Sequence, residues 1–239
     1  MIDSRMMLNR LLWQQPDKKK ERNTVTEAMT ENIRVIIHSS IRIACEAGTV
    51  YLDPYLLEEE AHDADYILVT HNHYDHFSPE DIRKIARDET ILVVPEGMRD
   101  EAEKADLGLQ IKTVRPAESY TIDKLSFETV ASYNTLKPFH PKGAGWVGYI
   151  LHDGGKRIYI AGDTDAVREA KQVKCDIALV PVGGTYTMNA KQAAELVNTI
   201  QPAVAIPTHY GSAVGKKEDG EIFAGFVKPP VLVELKMGK

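Results

Sequence analysis

Only two cysteines, Cys45 and Cys175, occur among 239 residues. No CxxC-type spacing exists, which argues against both a disulfide framework and a soft-metal thiolate site; the pair is expected to be buried and reduced. Long apolar runs are also missing. No stretch approaches the roughly 18 residues of a membrane span, and Met1-Ile2-Asp3-Ser4-Arg5 leads into no apolar signal segment. The expectation is a cytoplasmic protein without a membrane partner. An excess of positive charge is absent too. Twenty-nine Lys and Arg stand against 35 Asp and Glu, a formal charge of −6, which weighs against a general nucleic-acid surface. A small-molecule substrate is expected instead.

What is present suits one layered domain: hydrophobic residues make up 43% and charged residues 27%. Residues 1–30 are a polar arm around Lys18-Lys19-Lys20-Glu21-Arg22, in which Leu8, Leu11, Leu12 and Trp13 permit a short amphipathic helix. Residues 31–239 are expected to form a single domain. Ile33 to Ile37, Ile41 to Cys45 and Val50 to Pro54 read as meander strands. Tyr66 to Thr70 is a continuous apolar run, as in a strand buried on both faces. Further strands are expected at 91–94, 127–131, 146–151, 158–161, 177–182 and 203–207. Ser78-Pro79-Glu80-Asp81 and Asn189-Ala190-Lys191-Gln192 open helices, the first with serine cap and proline, the second with a capping-box pattern. In each half, meander strands come first and strands alternating with helices follow. That order implies an α/β protein with two sheets packed face to face and helices outside.

The chemistry concentrates in His71-Asn72-His73-Tyr74-Asp75-His76, directly after the apolar run ending at Thr70. Three of the eight histidines lie within six residues. Imidazole and carboxylate suit zinc, and equally manganese, iron or nickel. On a loop leaving a strand, His71 and His73 can face one way while Asp75 and His76, in the following turn, face the other, an arrangement that serves two adjacent metals.

The run resembles the HxHxDH signature of the metallo-β-lactamase superfamily, and the likeness extends over roughly residues 35–230. Asp163, in Gly162-Asp163-Thr164-Asp165, resembles the family's bridging carboxylate. His209, in His209-Tyr210-Gly211, resembles its last histidine, and Asp53 resembles the aspartate that supports a ligand histidine. The resemblance implies a four-layer αββα sandwich with two divalent metal ions, zinc being the first expectation. His71 and His73 would hold one ion, Asp75, His76 and His209 the other, with Asp163 between them; a hydroxide bridging the metals would attack the substrate, oriented by Asp75.

For the family's further ligand to the first metal two readings stand: His140, folded back by the loop Lys137 to Gly143, or only the two histidines plus water or Asn134. The first is preferred. His38, in His38-Ser39-Ser40, resembles an early Gly-His-Ser/Ala element of the ascorbate-phosphate lactonase-like branch, where it would serve catalysis as proton donor or substrate contact; a surface histidine is the alternative. His62 and His152 read as structural or exposed, Tyr186 and Tyr210 as donors or packing residues. Lys137 and Lys142 could attract an anionic substrate, a solvated loop being the more common explanation. The implied reaction is hydrolysis of a lactone, ester or phosphodiester bond of a small molecule. The alternatives are a nuclease-type phosphodiesterase and a metal-binding regulatory protein without turnover. A redox enzyme related to the flavodiiron proteins ranks lower, because those carry glutamate where His73 stands.

Overall fold

In a computed structural model, which describes residues 28–238, the β-branched runs set the order of the strands. Ile33–Ile37 (β1), Ser40–Cys45 (β2) and Gly48–Leu52 (β3) form an antiparallel meander. His38, at the β1–β2 turn, takes a left-handed backbone with φ 54°. Tyr66–Leu68 (β4), Ile91–Pro95 (β5) and Gln110–Val114 (β6) then add in parallel, connected by helices Pro79–Ile85 (α1) and Arg99–Lys104 (α2).

The second half repeats this scheme. Ser119–Ile122 (β7), Leu125–Ala131 (β8), Val147–Asp153 (β9) and Lys156–Ile160 (β10) run antiparallel. Ile177–Pro181 (β11), Val204–Thr208 (β12) and Leu232–Val233 (β13) follow in parallel, with helices Arg168–Lys171 (α3), Ala190–Ile200 (α4) and Asp219–Phe226 (α5) interspersed.

Each sheet is buried on both faces, which is why its central strands are almost uninterrupted apolar runs. Ile67, Leu92 and Val94 pack with Ile82 and Ile85 of α1 and Ala102 of α2. Alternation therefore turns Leu68, Ile91 and Val93 the other way, and all three are buried. In the second sheet Tyr159, Ala178 and Val180 pack with Ala193 and Val197 of α4 and with Phe223 of α5. Ile158, Ile160, Ile177 and Leu179 face back toward the first sheet and are equally buried. The layers run helix, sheet, sheet, helix: the αββα sandwich. Both expected helix starts are present. The Ser78 side chain accepts from the Asp81 amide with Pro79 at the first position, and Asn189 and Gln192 complete a reciprocal capping box.

Several boundaries differ from the sequence reading. β3 ends at Leu52 and β4 at Leu68, because Asp53 and Thr70 bond to one another beyond the ladder, the Thr70 amide donating to Asp53 Oδ1 at 2.8 Å. β6 and β7 escaped notice because QIKTV and SYTI are largely part-buried and polar. Helices α2, α3 and α5 carry no strong start signal. Cys45 and Cys175 are free but half-buried rather than buried. The arm expected over residues 1–30 lies, through residue 27, outside the described residues. Among the described residues no helix is long and apolar enough to cross a membrane.

Two bonds tie the sheets together beside the histidine run. Tyr149 of β9, fully buried, donates its hydroxyl to the Val69 carbonyl at 2.7 Å, and the Val147 amide donates to the Thr70 carbonyl at 3.2 Å. Tyr149→Phe leaves a buried carbonyl without that partner and is expected to cost about 1–3 kcal/mol. Thermal unfolding of the variant checks this; an unchanged midpoint would contradict it.

Candidate metal centre

The polar cluster gathers where strands of both sheets end. Asp53 follows β3, His71 follows β4, Asp163 follows β10 and His209 follows β12, so four chain segments deliver side chains to one place, as crevices at carboxyl strand ends do. Gly162 has φ +63°, and a Cβ there would stand 3.1 Å from Thr70 Cβ and 3.2 Å from the Val147 carbonyl. A glycine is needed for Asp163 to come this close to the histidine run.

The side chains fall into groups. His71, His73 and His140 offer ligand atoms within 4.8 Å of one another, as do His38, Asp75, His76 and His209, and as do His71, His76 and Asp163. Asp163 touches both sides: its Oδ2 lies 3.3 Å from His140 Nε2, 3.0 Å from His209 Nε2 and 4.0 Å from His71 Nε2, and its Oδ1 lies 3.4 Å from His76 Nε2. The His73 side chain approaches through Nδ1, 3.1 Å from His71 Nε2. The turn at His73, in which the amides of His76 and Phe77 donate to its carbonyl, swings Asp75 and His76 to the other side.

His76, His140 and His38 are braced from behind. Asp53 Oδ2 lies 2.7 Å from His76 Nδ1 and accepts from the Thr70 hydroxyl at 2.7 Å, which fixes Nδ1 as the protonated nitrogen and turns Nε2 toward Asp163. His140 Nδ1 donates to Asn134 Oδ1 at 2.9 Å, and Asn134 Nδ2 donates to the Tyr186 carbonyl at 3.0 Å. Asn134 thus stands behind His140, and His140 is the residue whose Nε2 faces His71 and His73. His38 is fully buried, not a surface residue. Its Nε2 lies 3.1 Å from Asp75 Oδ2 and its Nδ1 3.2 Å from Ser212 Oγ, so both nitrogens are engaged.

Burial pushes the Asp163 carboxyl up, but the charges of His209 and His76 and the close approach of the His140 and His209 rings hold it well below the usual carboxylate range. Burial opposes ionisation of Asp75 too, and His209, His38 and His76 outweigh it. Burial, then the neighbouring His76, keeps the His71 imidazole neutral, well below its ordinary value; burial and His140 lower that of His73. Ionised carboxylates and neutral imidazoles are the forms that bind a divalent cation. His76 Nε2, His140 Nε2, His209 Nε2 and Asp163 Oδ1 are buried without a hydrogen-bond partner. Orphaned polar atoms converging in this number fit a bound cation group.

A family model described as "Beta-lactamase superfamily domain" matches residues 32–209. The chain belongs to the metallo-β-lactamase superfamily. Curated relatives include a UPF0173 metal-dependent hydrolase of Methanosphaera stadtmanae, 31% identical over 218 residues, covering 82% of this chain and 90% of the relative. Another, from Symbiobacterium thermophilum, is 31% identical over 211 residues, covering 82% and 91%. The crystal structure of a candidate metal-dependent hydrolase from Parabacteroides distasonis superposes with TM-score 0.73 at 30% identity, covering 86% of this chain and 92% of that one. This chain is a metal-dependent hydrolase of that superfamily. The names speak for the superfamily and not for its ascorbate-phosphate lactonase-like branch.

His62 and His152 stand apart, on the Ala86 carbonyl and Glu128 respectively. Tyr210 packs in the core, whereas Tyr186 reaches the cavity beside the cluster. Trp146, whose ring centre is 5.0 Å from that of His71, and Ser212 were missed; neither sits in a motif, and only the fold brings them here. Asn134→Ala removes the prop of a buried histidine and is expected to lower stability by about 1–3 kcal/mol. Denaturant unfolding measures it, and a loss below a few tenths would show the prop to be dispensable.

Proposed function

We propose that the chain is a dinuclear metal-dependent hydrolase acting on an ester, lactone or phosphodiester bond of a small molecule. One observation carries this reading: the Asp163 carboxylate lies between the two histidine groups, amid buried ring nitrogens that lack any hydrogen-bond partner. His71, His73 and His140 would hold one ion and Asp75, His76 and His209 the other, with Asp163 shared. Bound divalent ions lower the pKa of coordinated water and stabilise negative charge developing on the attacked bond. Zinc suits this nitrogen-rich donor set, and manganese, iron and nickel are compatible with it.

The protein's own groups do the rest. Asp75 lines the cavity beside His73 and Asp163, where its carboxylate can accept a proton from the attacking water and orient it. The Ser212–His38–Asp75 chain sets the direction of that carboxylate. His38 therefore acts through Asp75; both of its ring nitrogens are occupied, so the proton-donor or substrate contact expected from the sequence gives way to positioning. Asp53 and Asn134 keep Nε2 of His76 and His140 directed inward, which avoids reorganisation during the reaction.

The His73→Ala variant is expected to lose at least one metal equivalent and to hydrolyse chromogenic esters, lactones or bis(4-nitrophenyl) phosphate at least about a hundredfold more slowly. Elemental analysis alongside initial rates checks both; a variant with full metal and full turnover would overturn the assignment. Asp53→Asn is expected to weaken metal retention about 10–100-fold in chelator competition while leaving all proposed ligands in place. Wild-type retention in that variant would remove Asp53 from the account.

A further inference from the structure

The cavity over the metal centre has an unusual wall. It measures about 260 Å³, with Asp75 and Asp163 at its floor and Tyr74, Phe139, Tyr186 and Val214 around it. Phe and Trp together number only seven in the chain and aromatic residues make up 7%, yet three of the wall residues are exposed aromatic rings. Tyr74 is 70%, Phe139 41% and Tyr186 37% exposed. Phe139 and Tyr186 come from different loops and meet edge to face, with ring centres 4.7 Å apart. Tyr55 backs Tyr74 in the same manner at 5.9 Å. The bond from Asn134 to the Tyr186 carbonyl ties the loop carrying Phe139 to the one carrying Tyr186. A fixed group of rings facing water at the rim of a reactive floor favours an apolar ligand surface.

The two lysines that flank the His140 loop are paired. Lys137 Nζ lies 2.6 Å from Asp165 Oδ1 and 2.7 Å from the Thr187 carbonyl. Lys142 Nζ lies 2.8 Å from Glu169 Oε1 and 3.3 Å from the Tyr133 hydroxyl. The two lysines that would have drawn an anion are thus neutralised within the fold, and no lysine or arginine lines the cavity among the described residues. A carboxylate or phosphate carried away from the scissile bond would meet rings and no counter-charge.

We propose that this cavity takes an uncharged, apolar flank of the substrate, an aryl or short alkyl group, and that Phe139 and Tyr186 set the preference. The proposal rests on the metal centre above as the place of bond cleavage, and it replaces the anionic substrate suggested by the lysines.

Binding can be read without turnover. Trp146 packs beside the histidines, and a nitrophenyl group seated in the cavity quenches its fluorescence. The zinc-loaded full chain is titrated with 4-nitrophenyl butyl ether and with its carboxylate counterpart, 4-(4-nitrophenoxy)butanoate. The ether is expected to bind about tenfold more tightly. In the Phe139→Ala/Tyr186→Ala double variant, checked for an unchanged melting profile, its affinity is expected to fall about tenfold, with Phe139→Leu retaining most of it. Equal or tighter binding of the carboxylate, or wild-type affinity in the folded double variant, overturns the proposal. A protein that shows the preference yet hydrolyses no ester, lactone or phosphodiester supports it and counts against the hydrolase reading instead.

Discussion

Asp163 is a carboxylate with 3% of its surface exposed, enclosed by four imidazole rings. An ionised carboxylate taken out of water is costly unless positive charge stands beside it. Among the described residues no lysine or arginine is paired with it; its partners are the nitrogens of His71, His76, His140 and His209. The carboxylate raises the proton affinity of His76 and His209, which burial would otherwise lower. The surroundings are built to hold cations, and proposed metal ions on either side of Asp163 would answer the same requirement more completely. The bracing by Asp53, Asn134 and Ser212 follows from it, since each directs a ring nitrogen or carboxylate oxygen toward that centre.

The sandwich exists around this demand. Each half of the chain lays down a meander and then parallel strands, so the carboxyl ends of β3, β4, β10 and β12 arrive at one edge. Neither half supplies a complete set. The first brings the histidine run, the second brings His140, Asp163 and His209, and Tyr149 and Val147 bind the second sheet to the backbone just before His71. Packing of one sheet on the other and formation of the centre are therefore one event, and a slip of one residue in β9 would separate them.

Much of this was legible beforehand. The apolar runs fixed the central strands because both faces of each sheet are covered, and short polar motifs at strand ends marked the side chains that the fold gathers into one cluster, since strand-end loops can present several of them at once. What stayed hidden depends on distant pairing. Asn134 and His140 were rivals in sequence and turn out to be prop and ring in a single hydrogen-bonded unit. His38, expected near the metals with a surface position as the alternative, is buried, because the left-handed turn between β1 and β2 tucks it against Asp75. Lys137 and Lys142 left open an attraction for anions or a solvated loop, and Asp165 and Glu169 stand opposite them. Polar and half-exposed strands such as β6 carried no periodic signal strong enough to see.

Anomalous X-ray scattering from crystals of the zinc-loaded chain tests the central claim most directly. The account predicts two peaks on opposite sides of Asp163, one against His71, His73 and His140, the other against Asp75, His76 and His209. A single peak, or peaks that leave Asp163 uncontacted, would contradict it.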